Sequence, residues 1–506
     1  MSTRSTGNLA ELVRQAAEAT PDKVALVFQG TTMSWRALDA DVSAVAFGLT
    51  GLGLVRGDRV AVQLGNTPDF AACYFGVMRA GLVAVPVNTG YTVDELSHLL
   101  GDSGAQVLIT TLAGAATAGA LVNPPAHLVI AGADTAPDGA TTLHALTSEA
   151  RAFGAVGGDE DLAVVLYTSG TSGRPRGAML THRALLANLQ QCSQIDPPVM
   201  APDDVVLLVL PLFHVYGLNA ALGAVAWHGA TGVLIERFDP VETLEQVRRH
   251  DVTNIVGAPP MYVAWSMLPD VGDAFTSVRL AVSGSAPLPA AVLRRVLDTT
   301  GHHVFEGYGL TETAPVLTST LMSAVAKPDS IGRPIPGVEL RLLDQSGRPV
   351  EDGDPGEIVV RGANLFSGYW PDGSEGPDAD GWFATGDVAL VDGDGDLRLV
   401  DRRRELILVS GFNVYPREVE ERLIAHPDID EVAVLGIAHP LTGESVKAVV
   451  VLHPGARLTA DEVIAHCAVF LARFKCPTVV EFVAELPHSA TGKVSKARLR
   501  EAAAGA

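Results

Sequence analysis

The sequence predicts an α/β protein with a large amino-terminal region of layered sheets and helices, a β subdomain, and a small α+β unit at the carboxy terminus. Three observations predict it. Short apolar runs alternate with helix-period segments from residue 9 to about 110, the texture between about 330 and 400 changes to short strands separated by Gly, Pro and Asp, and past Asp401 a basic cluster leads into roughly 100 residues with their own helices and strands.

Taken in order, Trp35, Leu38, Val42, Val45 and Leu49 recur at steps of three and four, which lays them along one face of a helix beginning near Ser34. Arg59 to Leu64 reads as a strand, Asp69 to Ala80 as a helix and Val83 to Val87 as a strand. Thr92 followed by Glu95 is a reciprocal cap that opens the next helix, and Gln106 to Thr110 is a further β-branched run. The stretch Ala113 to Thr142, rich in Ala, Gly and Pro, reads as surface connection. Val205 to Ile235 carries no Asp, Glu, Lys or Arg, yet Pro211, His214, Gly217, Asn219, His228 and Gly229 interrupt it, so it reads as a buried interior segment and not a membrane span. Asp392, Asp394 and Asp396 mark a hairpin turn, because Leu397 and Arg403 stand where a calcium loop needs Gly and Glu. Beyond Arg402, Arg403 and Arg404 come a helix from Pro416 to Ala425, strands at Glu431 to Ile437 and Lys447 to Leu452, and a helix from Thr459 to Phe474.

Composition narrows the function. The 506 residues carry 58 acidic and 36 basic side chains, a net charge of −22, which argues against a nucleic-acid partner because affinity for a phosphate backbone comes from clustered Lys and Arg. The amino terminus, MSTRSTGNLAELVRQ, holds no apolar stretch, so neither a signal peptide nor an integral membrane segment is expected and the chain reads as cytoplasmic. Cys73, Cys192, Cys467 and Cys476 form no C-x-x-C pair and read as small buried hydrophobes.

The most informative segment runs from Leu162 to His182, where an apolar strand enters a loop of Thr168, Ser169, Gly170, Thr171, Ser172 and Gly173. Such a loop offers backbone N–H groups and hydroxyls at short spacing, and its glycines let it wrap a phosphate without a Cβ clash. No G-x-x-x-x-G-K-[ST] pattern aligns on it, and the cation that follows is Arg176. YTSGTSGRPRG resembles the phosphate loop of the adenylate-forming superfamily of acyl-CoA synthetases, luciferases and peptide-synthetase adenylation domains. LPLFHVYGL (210–218), SGSAPL (283–288), EGYGLTET (306–313), GWFATGD (381–387), DRRRELILVSGFNVYPREVE (401–420) and LPHSATGKVSK (486–496) are similar to further motifs of that family, in its order.

The resemblance implies an AMP-binding domain over 1–402 and a mobile carboxy-terminal domain over 403–506, with a hinge near Arg404, where the family usually has Lys or Asp. It also assigns roles. Tyr308 faces adenine, with Gly309 beside it and Gly284, Ser285 and Ala286 as the opposite wall; Thr311 meets the α-phosphate; Glu312, with Thr168, holds Mg²⁺. Asp387 takes the ribose hydroxyls with help from Arg402, Asn413 reaches the AMP, and Lys493 bridges acid and α-phosphate during adenylation. Ser410 and Gly411 lie where CoA passes in the second half-reaction. Arg176 replaces the usual phosphate-loop Lys, keeping charge while changing donor geometry.

The same resemblance places His214 and Tyr216 at the acyl entrance and Gly307, Pro315 and Val316 deeper. A peptide-synthetase domain would want an acidic residue near Phe213, where His214 and Val215 stand, and malonate-type ligases carry an Arg where Gly307 stands. The expected reaction is ATP-dependent activation of a medium- or long-chain fatty acid followed by transfer to CoA, with ATP, CoA and Mg²⁺ required. An acyl carrier protein as acceptor and an aromatic, coumarate-like acid as substrate stay open. A non-catalytic nucleotide binder would not need Lys493, and a kinase would want the Walker lysine.

Overall fold

Local caps fix where the helices start. Ser34 accepts from the Ala37 N–H and opens Trp35–Gly51; Thr67 does the same for Phe70 and, with Pro68 in the first turn, opens Pro68–Arg79. Thr92 and Glu95 form the reciprocal cap of Val93–Ser103, with both hydrogen bonds present. The computed structural model describes residues 7–149, 151–168, 175–323, 327–351, 353–402, 405, 407–409, 412–439, 443–471, 473–488, 494–496 and 498–500, with backbone alone at 401, 402, 408, 412, 413 and 443.

The chain divides into two compact units, Met1–Glu339 with Arg361–Phe383, and Leu340–Val360 with Ala384–Ala506. In the first unit, the apolar runs form two sheets among the described residues. One carries Thr141–Thr142, His127–Ile130, Val107–Thr110, Arg59–Gln63, Val83–Pro86 and Leu162–Thr168 in parallel, closed by antiparallel Arg176–Thr181. The other sets Val304–Gly309, Leu280–Ser283, Asn254–Gly257, Val205–Leu208, Thr231–Leu234 and Val24–Phe28 side by side in parallel, and antiparallel strands close both edges. Helices Trp35–Gly51 and Pro68–Arg79 bury Trp35, Leu38, Val42, Val45, Phe70, Tyr74 and Phe75 in the largest apolar cluster. The uncharged 205–235 segment lies inside the fold as strand, π-helix Tyr216–Gly223, helix Ala224–His228 and strand.

The second unit has a sheet of Glu339–Leu343, Gly356–Arg361, Phe383–Val391 and Leu397–Arg402 in that order, the last two antiparallel and joined by a hairpin in which Asp392 Oδ1 accepts from the Asp394 and Asp396 N–H groups. A second sheet is built on the long pair Ile429–His439 and Gly443–Leu452, against which Pro416–Ile424 and Ala460–Phe470 pack.

Two expectations need correction. The 113–142 stretch is not all surface connection: it holds a helix, Leu112–Gly119, and the strand His127–Ile130, whose Val129 and Ile130 are fully buried beside Val107–Thr110. The last helix ends at Phe470, and a separate 3-10 turn covers Arg473–Lys475. Cys73, Cys467 and Cys476 are buried and Cys192 partly so; all are free thiols. Among the described residues no helix is long and apolar enough to cross a membrane.

His182, 1% exposed, accepts from the Leu9 N–H on Nδ1 at 3.0 Å, and burial pulls its pKa from 6.5 to about 4. Its folded pKa lies below its unfolded one, so its contribution is complete above about pH 6.5 and is lost as pH falls towards about 4, a change of about 3 kcal/mol. Urea unfolding of the wild type should therefore show a stability drop over this window that His182→Asn flattens; equal steepness in both would refute it.

Candidate active site

The expected phosphate side is built on an antiparallel pair. Strand Leu162–Thr168 pairs with Arg176–Thr181 in a register that sets Thr168 opposite Arg176. Ser169, Gly170, Thr171, Ser172 and Gly173 lie outside the described residues. Arg176 stacks over the Tyr369 ring, 3.8 Å from its centroid, and its Nη1 meets Glu375 Oε2 at 2.9 Å. The Tyr369 hydroxyl donates to Glu312 Oε1 at 2.5 Å. Arg176 and Glu312, distant in sequence, thus come together through a residue between them. Segment 367–370 is laid there by hydrogen bonds to the edge strand: Ser367 N to Met179 O, Met179 N to Gly368 O and Trp370 N to Gly177 O, at 2.9, 3.1 and 2.8 Å.

Thr311 and Glu312 sit on a one-turn 3-10 helix after strand Val304–Gly309. Buried amides clamp this turn. Asn188 donates to Val316 O at 2.8 Å and accepts from Val316 N at 3.1 Å; Asn219 donates to Ala314 O at 2.8 Å; Asn364 donates to Thr313 O at 2.7 Å and accepts from Gln191 at 3.2 Å. Apart from the Gln191 amide, each partner is a backbone carbonyl or N–H of residues 313–316, and the net holds the turn that carries Glu312 while leaving its side chain to Tyr369. Gly309 must be glycine: a Cβ there would fall 1.8 Å from the Pro315 carbonyl oxygen. Tyr308 is 9% exposed and lies in register with Thr318.

Where the acid is expected, Tyr216 begins the π-helix and covers Gly284 so closely that a Cβ there would come within 2.8 Å of the ring. Burial raises the Tyr216 phenol above its ordinary pKa, with Cys192 adding to the effect, so the phenol stays neutral. Ser285 follows at φ 72°, the left-handed region, and turns the chain after Leu280–Ser283 towards Ala286. Gly307 is open: a Cβ would meet only Thr318 O, at 3.5 Å. Val316, Val282, Phe305 and Cys192 pack against Ile195, Leu280, Leu321 and Ile335, so the wall that Phe305 shares, two residues before Gly307, is apolar. Pro315 joins this wall to the clamped turn, and the His214 ring lies 4.8 Å from that of Phe213.

Asp387 belongs to the second unit, 6% exposed on strand Phe383–Val391, in register with Arg402. Asn413 lies on Phe412–Val414, with its side chain outside the description, as is that of Arg402. Lys493, Ser410, Gly411 and the hinge residue Arg404 lie outside the described residues. Sequence reasoning missed Tyr369, Glu375 and the amides Asn188, Asn219 and Asn364. A Tyr in the turn-rich SGYWPDG and single amides on a helix (Asn188), a π-helix (Asn219) and a loop (Asn364) carry no signal until long-range contact gives them partners.

The described residues hold no group of three or more His, Cys, Asp or Glu side chains able to cage a metal. A carboxylate with one oxygen fixed by a phenol, as Glu312 is, is a hard oxygen donor that fits Mg²⁺, an ion usually held by one or two carboxylates together with substrate phosphates.

Residues 13–370 match the AMP-binding enzyme family and 418–493 the AMP-binding enzyme C-terminal domain. The chain is 36% identical over 530 residues to a long-chain-fatty-acid–CoA ligase of Yersinia pestis, covering 98% of this chain and 94% of that one. It is 38% identical over 493 residues to a feruloyl-CoA synthase of an Amycolatopsis species, with 96% of each covered. The ATP-bound structure of MatB from Rhodopseudomonas palustris superposes with a TM-score of 0.88 at 34% identity, over 98% of this chain and 99% of that one. These matches span both sequence motifs and fold, and the chain belongs to the AMP-binding, adenylate-forming enzyme family, as an acid–thiol ligase of its acyl-CoA ligase class.

Proposed function

We propose that the enzyme activates a medium- or long-chain fatty acid to acyl-AMP and passes the acyl group to CoA, acting in the cytoplasm. The observation that carries the choice of acid is that Gly307 puts no charge on its strand and that Phe305, two residues before it, packs with Val282, Val316 and Cys192 in an apolar cluster. A second carboxylate would find no cation there, and an alkyl chain would bury apolar surface at about 0.8 kcal/mol per methylene.

In the first half-reaction a carboxylate oxygen attacks the α-phosphorus and diphosphate leaves. Lys493 and Thr311 stabilise the charge that develops on the acid and α-phosphate oxygens, Arg176 draws on the leaving phosphates, and Asp387 with Asn413 holds the ribose and AMP. Glu312 and Thr168 would hold Mg²⁺, which would supply neutralisation of the polyphosphate charge. In the second, residues 403–506 turn about Arg404 so that Ser410 and Gly411 replace Lys493 at the site. The thiol sulfur attacks the acyl carbonyl, the thiol proton is released and AMP leaves. The turning domain therefore separates two chemistries in time at one site.

A second reading, an aromatic acid, is favoured by the 38% identity to a feruloyl-CoA synthase over 96% of the chain. AMP release from ATP should be measured with acetate, octanoate, palmitate and coumarate, each with and without CoA. We expect CoA-dependent AMP with octanoate or palmitate above the others. Preference for coumarate establishes the second reading, and diphosphate release without CoA-dependent turnover points to an acyl carrier protein as acceptor.

A further inference from the structure

Tyr369 belongs to none of the motifs above, yet it touches two residues assigned to ATP. Its hydroxyl donates to Glu312 Oε1 at 2.5 Å, and its ring carries the Arg176 guanidinium at 3.8 Å. The tyrosine is fixed on its other sides. Its N–H donates to Ser374 O at 2.9 Å, its carbonyl accepts from Gly373 N at 2.8 Å, and Phe366 packs edge-on against the ring with centroids 5.1 Å apart. The loop that leaves Tyr369 comes back at Glu375, at φ 53°, and sets a carboxylate on the same guanidinium at 2.9 Å.

We propose that Tyr369 is a positioning residue that ties the phosphate-loop cation Arg176 to the metal-side carboxylate Glu312, with Glu375 holding the place of the ATP phosphates on Arg176. The inference rests on the reading that Glu312 and Arg176 serve ATP and Mg²⁺. A carboxylate with one oxygen committed to a phenol keeps the other for a hard cation, aimed in one direction, as outer partners of metal ligands generally do. The ring face meanwhile fixes the guanidinium plane while leaving its N–H groups for anions. The Glu375 carboxylate is 57% exposed, and a triphosphate, with more charge and more acceptor oxygens, would replace it.

The test is calorimetric binding of ATP to the full chain, with and without Mg²⁺, for the wild type and for Tyr369→Phe, Tyr369→Leu, Glu375→Gln and Glu312→Gln. Tyr369→Phe keeps the ring, so ATP affinity without Mg²⁺ should stay unchanged while affinity with Mg²⁺ falls about tenfold, the scale of one lost hydrogen bond to a charged group. Tyr369→Leu should weaken ATP under both conditions, and Glu375→Gln should tighten it about threefold or more, the scale of one exposed pair. A merely structural Tyr369 would make Tyr369→Phe weaken ATP equally with and without Mg²⁺, and that overturns the inference. Wild-type behaviour of Tyr369→Phe beside a lost Mg²⁺ effect in Glu312→Gln also overturns it, leaving the ligase reading intact. Wild-type behaviour of both overturns the Glu312 assignment and the inference together, and unchanged or weaker binding by Glu375→Gln removes the placeholder.

Discussion

Lys493→Ala is expected to lose acyl-AMP formation by about a hundredfold to a thousandfold, the usual consequence of removing one preorganised stabiliser of developing charge, while thioester formation from synthetic acyl-AMP and CoA survives. The argument is chemical. Attack of one anion, the carboxylate, on another, the α-phosphate, gathers negative charge between them, and a mobile ammonium placed there is worth more in the transition state than in the ground state. Once acyl-AMP exists, that charge has gone and the thiol attacks a neutral carbonyl carbon, so the lysine has nothing left to stabilise. Single-turnover assays of the two half-reactions separate the roles, and equal loss in both would refute this one.

Gly309→Ala is expected to cost about 1 to 3 kcal/mol of stability through overpacking and to lower adenylation more than that alone would imply. The added Cβ would lie 1.8 Å from Pro315 O and 2.7 Å from the Pro315 carbonyl carbon, both backbone atoms that cannot swing aside. Relief has to come from moving 310–316 off the Asn188, Asn219 and Asn364 clamp, which displaces Thr311 and Glu312. A thermal shift with undiminished ATP–diphosphate exchange would show that the turn tolerates the displacement. A Gly307→Ala control meets only Thr318 O at 3.5 Å and should melt as the wild type does.

How far the sequence carries depends on how local the signal is. The cap at Thr92 and Glu95 is legible because both of its hydrogen bonds close within four positions. The strand His127–Ile130 is not, because its four residues lie amid Ala, Gly and Pro and its order comes from Val107–Thr110 alongside. The site divides the same way. Tyr308, Thr311, Glu312 and Asp387 stand in contiguous motifs, whereas Tyr369 acquires its role only through a contact 57 positions away, and Asn188 through one 128 positions away. Residues that perform chemistry are thus read from short patterns, and residues that aim them are read from the fold.

The sheet edges have a consequence for behaviour at high concentration. An unpaired strand edge invites a second chain to add on, the first step of edge-to-edge aggregation, and a chain that is 47% apolar is exposed to that hazard whenever an edge is long. Here Arg333–Pro334 and Thr141–Thr142 each offer two residues, one of them a proline with no N–H to give, and Thr31–Ser34 offers four. The one longer edge of the two large sheets, Arg176–Thr181, is already occupied by Ser367, Gly368 and Trp370 of the same chain. The segment that presents Tyr369 to the site therefore also acts as a selvedge, finishing the border where the cloth would otherwise fray into its neighbour.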